Sequence, residues 1–411
     1  MSESPEAQDA RTRRLINLYG MTAFTSSLAA RSLDPILPEI ARDLAATTDQ
    51  IALLASVFAL PYAFIQPFLG PIGDALGKRR VIAVAALLTG LALVASALAP
   101  SLGWLFAFRA AAGIAAGGIY PLVIATFGDR VPLNKRQIAL SRLLAFSTAG
   151  QIGGGVLSGL VHGLVDWRTI IGIGAIAVLS MGAVLLRDLW READPPPVPL
   201  NAAAAVRRYG EIVRLPLARR LYASVAVEGL LVFGLFPYLA ALLAGWGLGG
   251  PAQAGLAIGA FGAAGIAYTF VAGPLLARLG LSGMQVLAGS MAGLGFAGIA
   301  WAGWQSGGAP APLGLAPVVL GMFAVGLGYF TMHNSLQTRV TEITAKARGS
   351  AVALHAFSFF VGQSLGPILF GTLLARLGPV TALLTSGAGL LALGLVLSRV
   401  MRPAGTATRP G

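Results

Sequence analysis

Residues 70–80 read GPIGDALGKRR, one acid and three bases set among glycines. Upstream runs IALLASVFALPYAFIQPFL (51–69) and downstream VIAVAALLTGLALVASALA (81–99), neither with a charged residue. A helix of about twenty residues rises far enough to cross a hydrocarbon layer of roughly 30 Å. The charged eleven-residue stretch therefore reads as a tight turn at a membrane surface, joining two antiparallel spans.

The remaining sequence agrees with that reading. Of 411 residues, 56% are hydrophobic and 11% charged, and the mean hydropathy is +0.77. Soluble domains carry about a quarter charged residues. A net charge of +13 would suggest nucleic acid in a soluble protein. In a membrane chain the question is instead where the basic residues fall, and no nucleic-acid partner is expected. The chain has no cysteine, which excludes disulfides, thiol catalysis and cysteine metal sites. It has no G-x-x-x-x-G-K-[ST] loop, so no ATP or other cofactor is expected. Arg11, Arg13 and Arg14 precede an apolar run too long for a signal-peptide core.

Apolar stretches between charged or Gly/Pro breaks predict twelve spans: 15–39, 49–70, 81–99, 103–128, 138–163, 168–187, 217–244, 251–277, 283–305, 314–337, 349–374 and 379–400. Of the 29 basic residues, three (Arg42, Arg168, Arg376) fall in alternate loops and two (Arg31, Arg109) inside spans, leaving 24 on the other side. By the positive-inside rule those 24 are cytoplasmic, as are both termini and the 70–80 turn. Compact loops suggest a bacterial inner membrane. Between the sixth and seventh spans the apolar signal stops, with PPPVP and seven arginines from Arg187 to Arg220. The chain thus divides into a six-span unit (1–187), a cytoplasmic linker (188–216) and a second six-span unit (217–411). The linker reads as a tether with one amphipathic helix resting on anionic lipid.

The two units repeat. Gly70-Pro71 and Gly77 recur as Gly273-Pro274 and Gly280, a constant shift. Arg136, Gly150, Gln151, Gly154 and Gly159 recur as Arg348, Gly362, Gln363, Gly366 and Gly371, again at one shift. Such repetition is the architecture of alternating-access transporters, whose halves rock about a site near the midplane. These glycines, with Gly113, let helix backbones approach closely, either as fixed packing or as sliding contacts.

With these features the chain resembles the major facilitator superfamily over nearly its whole length, in particular its drug/proton antiporter-like group of twelve helices. Gly70, Asp74, Gly77, Lys78, Arg79 and Arg80 match the family's turn after the second helix, with Ala75 where the family has a base. The resemblance implies an all-α membrane fold of two pseudo-symmetric six-helix bundles, and a cytoplasmic latch at this turn. An aspartate here can accept from N–H groups at a neighbouring helix N-terminus, and the bases can hold the turn at the anionic leaflet. Leu105, Arg109 and Gly113 match the family's buried-arginine pattern, with Ala112 where a glutamine is usual. The Gly-Pro that the family's antiporters carry in helix 5 stands here at Gly366-Pro367, in helix 11. Asp34-x3-Pro38 resembles the helix-1 acid of multidrug/proton antiporters.

Two acids lie within spans, Asp34 and Glu228, and ionisable groups at depth are functional candidates. Asp34 and Arg109 are expected at a common level, with Arg31 on the same helix face as Asp34. The carboxylate would carry the proton; the alternative is a solvated pair capping the mouth of helix 1. Glu228, His333 and His355 are expected at comparable depth as a second titrating cluster. Tyr62, Gln66, Tyr120, Gln151, Phe233, Phe236, Asn334, Phe357 and Gln363 are candidate cavity residues, by depth alone. No metal-ligand spacing or nucleophile–base constellation is present, so the chain is not expected to be an enzyme. The expected function is proton-driven export of a small organic or amphipathic compound by a monomer. Facilitative transport or uptake of a small metabolite such as a sugar or organic acid, or a non-transporting sensor, remain as alternatives.

Overall fold

A computed structural model describes residues 5–189, 202–306, 314–344 and 347–401. Every regular element among them is helical. In order they are α1 (Pro5–Arg31), a 3-10 turn (Asp34–Ile36), α2 (Leu37–Asp43), α3 (Thr48–Leu76), α4 (Lys78–Ala97), α5 (Leu102–Gly117), α6 (Tyr120–Arg130), α7 (Leu133–Val161) and α8 (Trp167–Leu189). Then follow α9 (Ala202–Arg214), α10 (Pro216–Phe233), a second 3-10 turn (Phe236–Tyr238), α11 (Leu239–Gly245), α12 (Pro251–Gln305), α13 (Ala316–Glu342) and α14 (Arg348–Val400).

Among the described residues, nine helical stretches are long and apolar enough to cross a membrane. Two of these, α12 and α14, hold 55 and 53 residues, far more than one crossing needs. Each is broken at one glycine of positive φ, Gly280 (61°) and Gly378 (78°), where the chain reverses into a second segment. The spans expected at 251–277 and 283–305, and at 349–374 and 379–400, are those segments. The polar α1 is not among the nine. The PPPVP segment of the linker lies outside the described residues; its helical part is α9.

Several expected spans are interrupted rather than continuous. The first ends at Arg31 and resumes after the Asp34–Ile36 turn, so Asp34 sits in a break and not in a helix body. The span expected at 103–128 breaks after Gly117, and that at 217–244 breaks after Phe233. Prolines cause all three interruptions. Pro35, Pro121 and Pro237 lack the N–H that would bond the carbonyl four residues back.

Buried apolar side chains form two clusters, one from Ile16 to Leu185 and one from Ile212 to Met401 with Ala52. Their internal geometry repeats. A Cβ on Gly150 would lie 2.3 Å from the Phe24 carbonyl, and one on Gly154 2.3 Å from that of Leu28. In the second half Gly362 and Gly366 stand in the same relation to Ala226 and Leu230, at 1.9 and 2.7 Å. Gly113 against Phe58 (2.2 Å) recurs as Gly326 against Phe261 (2.4 Å). Only hydrogen at those positions lets the backbones meet.

The halves join along two seams, α7 with α12 and α3 with α14. Gly159 meets the Pro251 carbonyl, and Gly371 meets Tyr238 and Asp49. Tyr238 Oη lies 3.2 Å from both Asp49 Oδ1 and the Pro367 carbonyl, closing this end of the molecule. At the opposite end, which carries Lys78–Arg80, Arg142 and Arg278, the seam opens. Residues 269–280 of α12 are exposed or half-exposed around their whole circumference, although Ile258 and Phe261 on the same helix are buried.

Candidate functional site

The open seam leads to a cavity lined by Arg31, Thr148, Gln151, Phe233, Phe236, Phe261 and Phe330, among others. Its volume is about 310 Å³ including space continuous with solvent. The two proline breaks build it. Arg31 ends α1 and Phe233 ends α10, and the turns that follow pack against one another. The Arg31 guanidinium lies 4.7 Å from the Phe233 ring centre and 5.4 Å from that of Phe236, a cation–π arrangement between the halves.

Arg31 Nη1 also donates to Asp34 Oδ2 at 3.3 Å. Asp34 is 6% exposed, so this is a buried pair and not a solvated cap at a helix mouth. Arg109 is 2% exposed, lies 4.6 Å from the Phe58 ring centre, and is close enough to Asp34 for their charges to act on each other. Its Nε and Nη1 have no hydrogen-bond partner. Two guanidinium groups thus share one carboxylate, and an incompletely matched charge inside a membrane is costly.

In the second half, Glu228 is wholly buried and its Oε2 lies 2.8 Å from His333 Nδ1. His355 is 2% exposed, its ring centre 5.2 Å from that of His333, and neither of its nitrogens has a partner. The three residues expected to cluster do so. Tyr329 joins this group to the cavity, with its ring centre 5.1 Å from His333 and 5.4 Å from Phe233.

The depth-based cavity residues divide. Gln151, Phe233 and Phe236 line the cavity. Tyr62 stacks on Phe360 across the seam at 4.2 Å, and Tyr120 is half-buried at the start of α6. Gln363 is half-buried with its Oε1 unpartnered. Three others have different roles. Gln66 is buried and donates to the Tyr62 and Gly117 carbonyls, the latter freed by Pro121. Asn334 donates to Phe330 on its own helix. Phe357 packs against Phe64, which is 56% exposed, and so belongs to the outer face of the seam.

The 70–80 turn also differs from expectation. Asp74 pairs with Lys78 at 2.8 Å, and Lys78 reaches Asp129 at 2.7 Å, so the acid is held by its own turn and not by a neighbouring helix N-terminus. Gly77 takes φ 89° between α3 and α4, and Gly70 has no neighbour that would obstruct a Cβ. Arg80 is exposed, but Arg79 is buried and bound to Tyr19 Oη, the Asp188 carbonyl and the Asp188 carboxylate. Arg14 meets the same carboxylate at 2.5 Å.

Sequence reasoning did not find Thr148, Phe261, Phe330 or Tyr329, nor Tyr209 of α9. Tyr209 donates to the Pro67 carbonyl at 2.5 Å, bridging the linker helix to α3. That carbonyl is free because residue 71 is a proline, a signal present in the GPIG motif itself.

The family model described as Major Facilitator Superfamily matches residues 19–367. The chain belongs to that superfamily. It is an integral membrane transporter of small molecules, not an enzyme. It is 23% identical over 287 residues to an uncharacterized MFS-type transporter, YwfA of Bacillus subtilis, covering 67% of this chain and 68% of that one. It is 28% identical over 193 residues to SauU of Cupriavidus necator, a probable sulfoacetate transporter, covering 46% and 44%. The quinolone resistance protein NorA of Staphylococcus aureus is 28% identical over 156 residues, covering 38% and 40%. Matches to the last two therefore span under half of those proteins. In fold, this superfamily member is similar to the nucleoside transporter NupG (TM-score 0.74, 14% identity, 94% of this chain and 100% of that one). It is also similar to the peptide transporter POT (TM-score 0.75, 17% identity, 94% and 95%).

Proposed function

We propose that this chain is a secondary active transporter that moves a small organic compound through the cavity at Arg31, with Asp34 as the proton-carrying group. The observation that carries this is the buried Asp34–Arg31 pair at the cavity wall. An arginine does not titrate in proteins, so the carboxylate is the member of the pair that can change charge. Gain of a proton there breaks the ion pair and frees the cavity arginine. We take the Arg-rich, open end as cytoplasmic by the positive-inside rule, with twelve crossings and both termini on that side. The cavity is complete within one chain, so a monomer suffices, in a bacterial inner membrane.

Export in exchange for protons is supported by the helix-1 acid in its Asp-x3-Pro setting and by the partial likeness to NorA. A second reading, uptake of a small organic acid, has its own support. Arg31 and Arg109 outnumber Asp34 at this level, and the partial likeness to SauU agrees.

The test is transport in everted membrane vesicles under an imposed pH gradient, with wild type, Asp34→Asn and Glu228→Gln side by side against a panel of labelled compounds. Gradient-driven movement should disappear in Asp34→Asn and persist, reduced, in Glu228→Gln. Movement indifferent to the gradient and to Asp34→Asn would leave facilitated transport in its place.

A further inference from the structure

We infer that the cavity binds an organic anion, a compact carboxylate or sulfonate with an apolar body, and that Asp34 competes with it for Arg31. This rests on the assignment of Asp34 as the proton carrier and takes the second of the two readings above, uptake of an organic acid, in place of proton exchange.

The charge count comes first. Two guanidinium groups, Arg31 and Arg109, face the single carboxylate of Asp34. Glu39 on α2 is a further carboxylate of the first half, with Oε2 buried and unpartnered and outside the Asp34–Arg31 pair. Of the elements packed against the Asp34 turn, α2 carries Glu39, Arg42 and Asp43, the last paired with Arg168. Residues 143–161 of α7 and 251–277 of α12 contain no Asp, Glu, Lys or Arg, and the facing turn offers only the phenol of Tyr238. Glu228, in the other half, is bonded through Oε2 to His333, with Oε1 buried and unpartnered. Around Asp34 itself, two guanidinium groups thus face one carboxylate.

The aromatic lining would otherwise suit a cation, and here geometry decides against one. Two of the four cavity rings, Phe233 and Phe236, already lie under the Arg31 guanidinium, and Arg109 lies over Phe58 beside it. An incoming cation would meet guanidinium at the rim. An incoming anion would meet it with a complementary charge and a fork of N–H donors. Arg31 uses one of these on Asp34, at a long 3.3 Å, and Thr148 and Gln151 line the same cavity with a hydroxyl and an amide. Phe233, Phe236, Phe261 and Phe330 supply the apolar wall for the remainder of the molecule.

The competition fixes the sign of coupling. While Asp34 is ionised it occupies Arg31; once protonated it releases the guanidinium to the ligand. Proton and anion then favour each other's binding by reciprocal linkage, and move in the same direction. A proton exchanger of a cationic compound has the opposite sign, since proton and cation would compete for Asp34.

The experiment is equilibrium binding to the purified full chain in detergent, with two probes that share one ring system. These are 2-naphthalenesulfonate and the 2-naphthyl-trimethylammonium cation, each measured at about pH 5.5 and about pH 8. The sulfonate is expected to bind and the cation not, with tighter sulfonate binding at the lower pH. Arg31→Gln should weaken sulfonate binding roughly tenfold or more, the usual worth of a charge-assisted hydrogen bond, and Arg31→Lys should recover part of it. Asp34→Asn should bind sulfonate at least as tightly as wild type, with its pH dependence gone. Size-exclusion and thermal-unfolding profiles check that each variant is folded. Preference for the cation, or no sulfonate binding at millimolar concentration, overturns the inference. Sulfonate binding that needs Arg31 but ignores both pH and Asp34→Asn keeps the anion site and removes Asp34 as proton carrier, so the two claims fail separately.

Discussion

The turn at Asp34–Ile36 and the turn at Phe236–Tyr238 are the same device in two chemistries. Both follow a helix that ends three residues earlier, at Arg31 and Phe233, and both lead into a seven-residue helix, α2 and α11. In each, a proline in second place removes the N–H that would have continued the helix. Yet where the first carries Arg31 and Asp34, the second carries Phe233 and Phe236 at the equivalent positions. The cation of one then rests on the rings of the other. The repeat supplies a frame in which two breaks face each other; the substitutions within it supply the site. Symmetry belongs to backbone packing, and the candidate site to the places where symmetry is broken.

That separation can be broken most severely at the backbone. Gly150 and Gly362 occupy matched places, with a Cβ 2.3 and 1.9 Å from the carbonyls of Phe24 and Ala226. No side chain can yield there, because the obstacle is main chain. Gly150→Leu and Gly362→Leu should both eliminate folded, monodisperse protein on size-exclusion. Gly362→Ala should cost about 1–3 kcal/mol or more, read as a lowered midpoint of thermal unfolding in detergent. If either half tolerated leucine, the shared frame would not be carrying the fold.

Much of this frame was legible in the sequence, because its signals are local. Charge scarcity marked the spans and the constant offsets marked the repeat, whereas the breaks at Pro35, Pro121 and Pro237 fell inside spans expected to be continuous. Acids are so few inside the spans that Asp34 and Glu228 were visible as candidates without any structure, and their partners Arg31 and His333 were named with them. What stayed hidden depends on helix rotation and on residues distant in sequence. Gln66 stands at the right depth but turns to the Gly117 carbonyl, and Phe357 turns to Phe64. Arg79 reads as a surface base in the KRR run, and only folding brings Asp188, 109 residues away, against it. No spacing in the chain encodes the stacking of Arg31 on Phe233, because depth does not fix which face of a helix looks inward.

A smaller test concerns the carbonyls that two matching Gly-Pro motifs release. Pro71 frees the carbonyl of Pro67, and Pro274 frees that of Phe270. Tyr209 of the linker helix takes the first, whereas Phe270 is 78% exposed on the parted stretch of α12. The linker helix, which packs on α10 and α14 of the second half, thereby reaches α3 of the first. Tyr209→Phe should lower stability by about 1 kcal/mol, the worth of one hydrogen bond, with the fold unchanged. Limited proteolysis should then cut α9 faster while cleavage around residues 269–280 stays the same. Equal acceleration at both places would mean that Tyr209 holds the open end as a whole.

The smallest expected effect separates the ends of α2 and α11. The first ends at Asp43 and the second, at the matching place, at Gly245. Asp43 accepts from Arg168 and, at 3.0 Å, from Trp167 Nε1, tying α2 to the start of α8. The hydrogen bond from Arg168, then that from Trp167, holds this carboxyl below the usual aspartate range. The depressed value means that the folded state favours the ionised form. Its contribution is therefore present above the pKa of the unfolded chain, about 3.9, and fades as pH falls toward and through the lower folded value. Side chains roughly half exposed, 46% for Asp43 and 36% for Arg168, keep it under about 1 kcal/mol. Asp43→Asn should accordingly melt slightly below wild type near neutral pH, and the two curves should converge in acid. A gap that persists unchanged at low pH would assign the effect to packing of Trp167 and not to charge. The end of α11, with glycine in that place, would then lack nothing that the end of α2 draws from its carboxylate.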